Sequence, residues 1–146
     1  MAEKKSIKFE IVTPDRTVLK QEILQVSVPT QDGEITILPD HIPLVSILKP
    51  GILEIKTLDQ ETEIMSVSGG FIEVLRDKVV ILADTAERAQ ELDEDKITAA
   101  RALAEAAKIE ALTRSDYDFS AVAAKLETEL ARERALHKWR RLKNIK

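Results

Sequence analysis

The change of fold along this chain is decided by residues 79–92, VVILADTAERAQEL. The stretch opens with a continuous apolar run at 79–82, which predicts a strand covered on both faces. Before it, residues 1–84 hold all five prolines and all four glycines, with 27 Ile, Val and Thr against 2 Ala. After it, residues 85–146 hold 14 Ala against 8 Ile, Val and Thr. Because β-branched residues favour strands and alanine favours helices, a strand-rich unit is predicted to precede helices.

Short alternating segments fill the first unit. Apolar and polar residues alternate at 7–11, 23–28, 35–37, 52–55 and 64–67, and turn residues separate these segments at short intervals. Alternation predicts strands with one buried face, and the short spacing is typical of antiparallel sandwiches and barrels. About nine strands are predicted, around a core of branched aliphatic side chains.

Two helices are predicted in the second unit, and together they form a hairpin. Asp93 is predicted to cap the first helix, which ends near residue 112, and an acidic first turn suits the positive end of the helix dipole. After a polar break, Asp118 or Ser120 is predicted to cap a second helix over about 119–142.

The apolar stripe of the first helix consists almost wholly of methyl groups. Its members recur at spacings of three and four: Ile97, Ala100, Ala104, Ala107 and Ala111. A buried alanine methyl contributes on the order of 0.8 kcal/mol, about a third of what a leucine gives. The stripe is therefore compatible with a hairpin that detaches easily and equally with a small, stably folded one.

The end of the chain reverses the sign of the charge. The whole chain carries a net charge of −4, whereas residues 132–146 carry +6. The cations are Arg132, Arg134, Lys138, Arg140, Arg141, Lys143 and Lys146. On a helix they surround Leu136, Trp139 and Leu142, a pattern that suits an acidic protein surface, an anionic membrane or nucleic acid. Alternatively, the basic segment only complements the negative end of the helix dipole and adds solubility. If it does bind nucleic acid or an anionic membrane, the chain is a stand-alone adaptor protein.

Most catalytic chemistry is absent from the sequence. The chain has no cysteine, no glycine-rich phosphate-binding motif, and only two histidines, His41 and His137, nearly a hundred residues apart. No apolar run approaches the roughly 18 residues of a membrane-spanning helix. These features predict a soluble intracellular protein that is not an enzyme by itself and that needs no metal.

Three stretches resemble one known family. Residues 33–44, GEITILPDHIPL, are followed by LKPG at 48–51, SGGFIEV at 68–74 and LADTAER at 82–88. They are similar to the GExxxLPxHxPL…LxPG, SGGxxEV and LADTAxR motifs of the epsilon subunit of F-type ATP synthases. The resemblance covers nearly the whole chain.

The resemblance implies a ten-stranded β-sandwich over residues 1–86 and a regulatory helical hairpin over 87–146. It implies a non-catalytic rotor subunit of the central stalk, peripheral to the cytoplasmic face of a bacterial energy-transducing membrane. The sandwich is expected to bind the gamma subunit and the c-ring, with Glu34, Asp40 and His41 facing the ring. Neither nucleic acid nor direct insertion into the membrane is expected, and the coupling ion, proton or sodium, stays open.

For the hairpin, the resemblance implies two positions. The helices lie folded on the sandwich, or they extend along gamma towards the alpha and beta subunits and inhibit ATP hydrolysis. In the extended form the acidic loops of beta are expected to meet an inhibitory set of cations: Arg132, Arg134, Lys138, Arg140 and Arg141.

Some family members also bind ATP through a motif resembling [IL]DxxRA. Residues 92–97 are LDEDKI here, so Lys96 replaces arginine and Ile97 replaces alanine. Arginine grips phosphate with a planar fork, whereas lysine offers a point charge. ATP is thus at most a regulatory ligand, and Asp93 is alternatively a simple helix cap. The candidate ATP residues are Glu87, Leu92, Asp93, Lys96, Arg134 and Lys138.

Overall fold

A computed structural model describes residues 5–114 and 119–144. This part of the chain contains nine strands and two helices. The strands are β1 (Ile7–Val12), β2 (Thr17–Thr30), β3 (Gly33–Ile37), β4 (Leu44–Leu48), β5 (Gly51–Thr57), β6 (Thr62–Val67), β7 (Gly70–Val74), β8 (Lys78–Ala83) and β9 (Ala86–Arg88). A 3₁₀ turn (Ala89–Glu91) leads into α1 (Glu94–Thr113) and α2 (Phe119–Leu142).

The strands form a β-sandwich of two layers. Strands β4, β7, β8 and β1 and the first half of β2 make the first layer, and β3, the second half of β2, β5, β6 and β9 make the second. Strand β1 runs parallel to β8, and the other paired strands are antiparallel. The sandwich followed by a helical hairpin confirms the predicted fold class.

Strand β2 joins the two layers. Its residues 17–23 pair with β1, and residues 26–30 pair with β3. Its pairing with β5 shifts register between Ile23 and Gln25. Such an irregularity bends a strand and increases its twist. The predicted number of about nine strands is confirmed, and the five alternating segments lie in β1, β2, β3, β5 and β6, whereas β4, β7 and β9 are not among them. The family count of ten is reached when β2 is counted once in each layer.

The core between the layers is aliphatic, as predicted. Inward-facing side chains such as Ile11, Ile23, Leu53 and Ile81 are fully buried, and Phe9 is the one aromatic residue of this cluster among the described residues. Each fully buried side chain of this kind contributes about 1.5–3 kcal/mol relative to an exposed one. The sandwich therefore has a hydrophobic core of its own.

The prediction that residues 79–82 are covered on both faces is wrong. Val79 and Ile81 point into the core, but Leu82 is 52% exposed on the outer face. Strand β8 belongs to the first layer, whereas the hairpin packs against the second layer, and the sequence does not reveal which layer the hairpin covers. The apolar run therefore marks an uncovered face of the sandwich.

The helices begin and end close to their predicted limits. The Asp93 carboxylate accepts hydrogen bonds from the backbone N–H groups of Asp95 at 2.9 Å and Lys96 at 3.3 Å, so its predicted role as a cap is confirmed. Ser120 lies inside α2 and does not cap it. The alternative cap, Asp118, lies outside the described residues.

The hairpin packs on the second layer through α2. This helix contacts β5, β6 and the 3₁₀ turn, and α1 packs against α2. The predicted stripe of α1 includes the buried residues Ile97, Ala104 and Ala111. Helix α2 is therefore held between the sandwich and α1.

Candidate functional site

The apolar contact between the hairpin and the sandwich is small. Ile64 on the outer face of β6 is 1% exposed and packs with Ala89 of the 3₁₀ turn and Ala135 of α2. Three partly buried side chains complete the cluster: Ile52, Leu92 and Trp139. Because two of its three buried members are alanines, this docking cluster contributes much less than the sandwich core.

Two ion pairs join α2 directly to the sandwich. Arg132 Nη2 lies 2.6 Å from Glu87 Oε1 on β9, and Lys138 Nζ lies 2.6 Å from Glu54 Oε2 on β5. The side chains of all four residues are between 23% and 40% exposed, so solvent screens both pairs only in part. The docked hairpin thus depends on charge as well as on apolar burial.

Further ion pairs join the two helices. Arg140 Nη1 donates to Glu94 Oε2 at 2.7 Å, and Arg101 Nη1 donates to Glu133 Oε2 at 2.5 Å. The hydrogen bond from Arg140, followed by its positive charge, lowers the pKa of the Glu94 carboxyl below its ordinary value. The first pair fixes the end of α2 against the start of α1, and the second joins the two helices further along.

The other two predicted inhibitory cations are free at the surface. Arg134 and Arg141 are exposed, and neither makes an ion pair with any residue in 5–114 or 119–144. Arg134 lies beside a small cavity of about 220 Å³ that Pro29, Glu34 and Gly51 also line. The predicted inhibitory set is therefore divided: Arg132, Lys138 and Arg140 are paired, and Arg134 and Arg141 are not.

Four of the six candidate ATP residues share one cleft. Glu87, Leu92, Asp93 and Lys96 line a space of about 340 Å³ at the junction of sandwich and hairpin. The remaining lining residues are Glu91, Ile97, Ala100, Glu129 and Arg132. This hairpin cleft is where the structure brings the predicted residues together.

Arg134 and Lys138 do not line the hairpin cleft, and Arg132 supplies its cation from α2. Residues two apart on a helix point about 200° away from each other, so Arg132 and Arg134 face opposite sides. To choose Arg132 from sequence alone, one needs the rotation of α2 relative to the sandwich. The sequence offers one signal for this contact, which is the opposite charge of Arg132 and of Glu87, the acidic residue that follows the apolar run.

The hairpin cleft has an excess of carboxylates. Glu87, Glu91, Asp93 and Glu129 face only two cations, Lys96 and Arg132. Arg132 donates from Nε to Glu87 Oε1 at 2.8 Å and from Nη1 to Glu129 Oε1 at 2.5 Å. The lysine ammonium makes no ion pair within the described residues. ATP binding in this cleft stays a prediction.

The structure does not bring the three predicted ring-facing residues together: Glu34 lies beside the β2–β3 turn at one end of β3, and Asp40 and His41 follow the other end of that strand. Glu34 is exposed on β3, and His41 is half-buried, with its Nδ1 2.6 Å from the carbonyl oxygen of Ile42. Asp40 has a φ of 64° and forms an ion pair with Lys5 at 2.5 Å. That hydrogen bond lowers the pKa of the Asp40 carboxyl, and the nearby charge of Arg76 also contributes.

Exposed aliphatic side chains surround this end of the sandwich. Ile42 is 74% exposed and Leu38 53%, and Leu75 of the β7–β8 turn is 43% exposed. Leu44 at the start of β4 pairs with Val74 at the end of β7, so the β7–β8 turn lies beside the loop that precedes β4. This loop end, formed by residues 38–42 and the β7–β8 turn, therefore combines exposed apolar side chains with charged ones.

An apolar patch on the first layer was missed by sequence reasoning. Ile47 on β4, Phe71 on β7 and Leu82 on β8 are cross-strand neighbours and are 44–52% exposed. Val45 extends this outer patch, and clefts of about 320 and 270 Å³ lie on either side of Phe71. The available signal was Phe71, a large apolar residue directly beside the inward-facing Ile72.

The structure also limits the chemistry of the described residues. Among them, no helix has the length and apolar character needed to cross a bilayer. Within the same residues, no group of three or more His, Asp or Glu side chains is arranged to hold a metal ion.

Known proteins with similar sequences agree with this fold. Residues 6–89 match the family model described as "ATP synthase, Delta/Epsilon chain, beta-sandwich domain". The ATP synthase epsilon chain of Chloroflexus aggregans is 48% identical over 137 residues, which cover 92% of this chain and 96% of the relative. The epsilon chain of Bacillus licheniformis is 41% identical over 134 residues, 92% of this chain and 95% of the relative.

Solved structures give the same result. A chain in the Euglena gracilis mitochondrial ATP synthase, from a structure of OSCP, F1 and c-ring, has a TM-score of 0.78 at 26% identity, covering 94% of this chain and 85% of that one. A chain from the Tetrahymena thermophila central stalk and c-ring shares the fold, with a TM-score of 0.62 at 16% identity, covering 92% of this chain and 99% of that one. The chain therefore belongs to the epsilon-chain family of ATP synthases, and it is a non-catalytic subunit of the central stalk.

Proposed function

We propose that the sandwich couples rotation of the c-ring to gamma and that the hairpin is a reversible inhibitor of ATP hydrolysis. One observation carries the proposal for the hairpin: in the docked position, carboxylates hold three of the five predicted inhibitory cations. Docking therefore masks the charge that inhibition requires, and release of the hairpin exposes it.

The sandwich offers two surfaces for its neighbours in the stalk. The outer patch, defined above by Val45, Ile47, Phe71 and Leu82, suits an apolar surface of gamma, because contiguous exposed apolar side chains mark protein interfaces. The loop end, with Asp40 and His41, suits the polar loops of the c-ring, whereas Glu34 lies beside the β2–β3 turn at the other end of β3. A rigid body that contacts both partners transmits torque between them.

Release of the hairpin requires little disruption. The docking cluster is small, and partly exposed ion pairs contribute about 0.2–1 kcal/mol each. Once released, the 24 residues of α2 span roughly 36 Å. This length allows the basic segment to reach along gamma to acidic loops of the beta subunits.

The site of action follows from the same assembly. We propose that the chain acts as a peripheral protein on the cytoplasmic face of a bacterial energy-transducing membrane. The bacterial relatives at 41–48% identity support this location.

Two sets of substitutions test the proposal because their expected effects on ATPase activity have opposite signs. Glu54→Gln removes the carboxylate that holds Lys138 and leaves every cation in place, so it releases the hairpin and lowers ATPase activity of the assembled enzyme. Arg134→Gln with Arg141→Gln removes two unpaired cations without touching a docking pair, so it raises activity.

Matched controls make the comparison specific. Glu61→Gln neutralises an exposed glutamate in the β5–β6 turn, and Arg114→Gln with Lys125→Gln removes two cations elsewhere on the hairpin. Both control enzymes are expected to hydrolyse ATP at the unmodified rate. Equal activity for Glu54→Gln, the arginine double variant and the controls, in fully assembled complexes, contradicts the inhibitory role.

A further inference from the structure

Glu129 is a buried acid in the middle of the hairpin cleft. The residue is 4% exposed and its side chain 6%, whereas most other residues of α2 are at least partly exposed. A buried carboxylate is costly unless a cation and hydrogen bonds satisfy it. Here Arg132, one helical turn further along α2, supplies both.

The Arg132 guanidinium is held on two sides. Its Nε and Nη2 face Glu87 Oε1 of β9 at 2.8 and 2.6 Å, and its Nη1 faces Glu129 Oε1 at 2.5 Å. A guanidinium fork of this kind binds carboxylate and phosphate by the same paired N–H groups. Two protein carboxylates occupy this fork here.

We infer that Glu129 is a built-in anion that occupies the position on Arg132 where a ligand phosphate would bind, so this hairpin docks without a nucleotide. The inference rests on the proposed function only in treating the docked hairpin as one of its states. It assigns to Glu129 the role of locking that state from within the chain.

The rest of the cleft supports this assignment. Glu91 and Asp93 add negative charge that repels phosphate, and Lys96 is the one lining cation without an ion pair among the described residues. An incoming anion must therefore displace Glu129 or Glu87 from Arg132. Displacing Glu129 leaves a carboxylate buried without its cation, which opposes the exchange.

The experiment measures docking in the free, full-length chain. Hydrogen exchange reports protection of the α2 amides, and fluorescence of Trp139, the chain's one tryptophan, reports the docking cluster. In the unmodified chain, we expect a docked hairpin in nucleotide-free buffer, with no change on adding millimolar ATP or pyrophosphate. A rise in α2 protection with either ligand overturns the inference, and this arm needs no variant.

Glu129→Gln supplies the second arm. Replacing a charged hydrogen-bond acceptor by a neutral one is expected to lower α2 protection about tenfold. Pyrophosphate is then expected to restore part of that protection, because an anion again sits on Arg132. Unchanged protection overturns the inference, and so does a loss that no anion restores, since Glu129 then acts only through packing.

Glu127→Gln is the matched control, because Glu127 is exposed on the same helix two residues away. It removes the same charge from α2 and is expected to leave both signals unchanged. Since these measurements read docking in the free chain, they can fail while the ATPase results support inhibition, and the reverse is equally possible.

Discussion

At the scale of single residues, Gly70 controls the contact between β7 and β8. Its φ is +133°, and a Cβ placed there would overlap the carbonyl oxygen of Leu82. Because that obstacle is backbone, no side-chain movement relieves it. The start of β7 therefore tolerates only glycine.

Gly70→Ala is predicted to lower the free energy of unfolding of the sandwich by at least about 3 kcal/mol, measured by urea denaturation. Gly33→Ala is the control: its φ is +121°, but nothing lies within 4 Å of the added Cβ. Backbone strain alone costs about 1 kcal/mol there. Equal losses at the two positions would show that overlap with Leu82 is not the cause.

The lowered pKa of Glu94 allows a prediction of how pH changes the stability of the hairpin. The hydrogen bond and charge of Arg140 lower the pKa of its carboxyl in the folded chain. The resulting stabilisation is fully present above the ordinary pKa of glutamate, about 4.3, and is lost as pH falls through the lowered value. The pairing of α1 with α2 should therefore weaken only in acid.

The measurement is an NMR titration of the Glu94 carboxyl carbon. Its midpoint is expected below the ordinary value, and Arg140→Gln is expected to raise it because both main causes are removed. An unchanged midpoint in Arg140→Gln would show that Arg140 does not set the pKa.

At the scale of elements, local signals predicted more than non-local ones. The start of α1 followed from the cap at Asp93, and the boundary between α1 and α2 followed from the polar break after residue 112, both of which act within a few residues. The shared strand β2 did not follow, because its bend is defined by pairing with strands far away in sequence.

The same distinction applies to the candidate site. Glu87, Leu92, Asp93 and Lys96 lie within ten residues of one another, and they meet in one cleft as expected. Arg132 belongs to α2, and whether Arg132 or Arg134 lines the cleft depends on how α2 is rotated against β6. That rotation is set by packing of Ile64 and Ala135, which no spacing in the sequence reveals.

Ile64→Ala is predicted to undock the hairpin while the sandwich stays folded. Ile64 points outward from β6 into the docking cluster, and truncating a buried isoleucine costs about 2–5 kcal/mol. Fluorescence of Trp139 should shift to longer wavelength without any change in sandwich unfolding. Ile55→Ala is the control, because Ile55 is equally buried but faces the core, and it should destabilise the sandwich instead. Loss of the sandwich in Ile64→Ala would refute the separation of the two units.

At the scale of the whole molecule, the two outer faces of the sandwich differ in what covers them. The hairpin covers the outer face of β5 and β6, whereas the outer patch on the other layer lies bare in the isolated chain. A bare patch with Phe71 at its centre is what a permanent partner requires, since aromatic residues carry much of the energy of interfaces. A hairpin that docks on the opposite layer can then move without disturbing the contact with gamma that we propose for the outer patch.

Phe71→Glu is predicted to prevent stable assembly with gamma. Burying a charge at the centre of the interface and losing the aromatic contact should weaken binding by about 2 kcal/mol or more, roughly 30-fold. Leu58→Glu is the control: Leu58 is 43% exposed, against 52% for Phe71, but it lies in the β5–β6 turn, away from the outer patch. Both variants place a carboxylate on an exposed site of an intact sandwich, so urea denaturation should give each chain its unmodified stability. Co-purification with gamma measures the difference, and equal recovery of gamma with both variants would place the gamma-binding surface elsewhere on the sandwich.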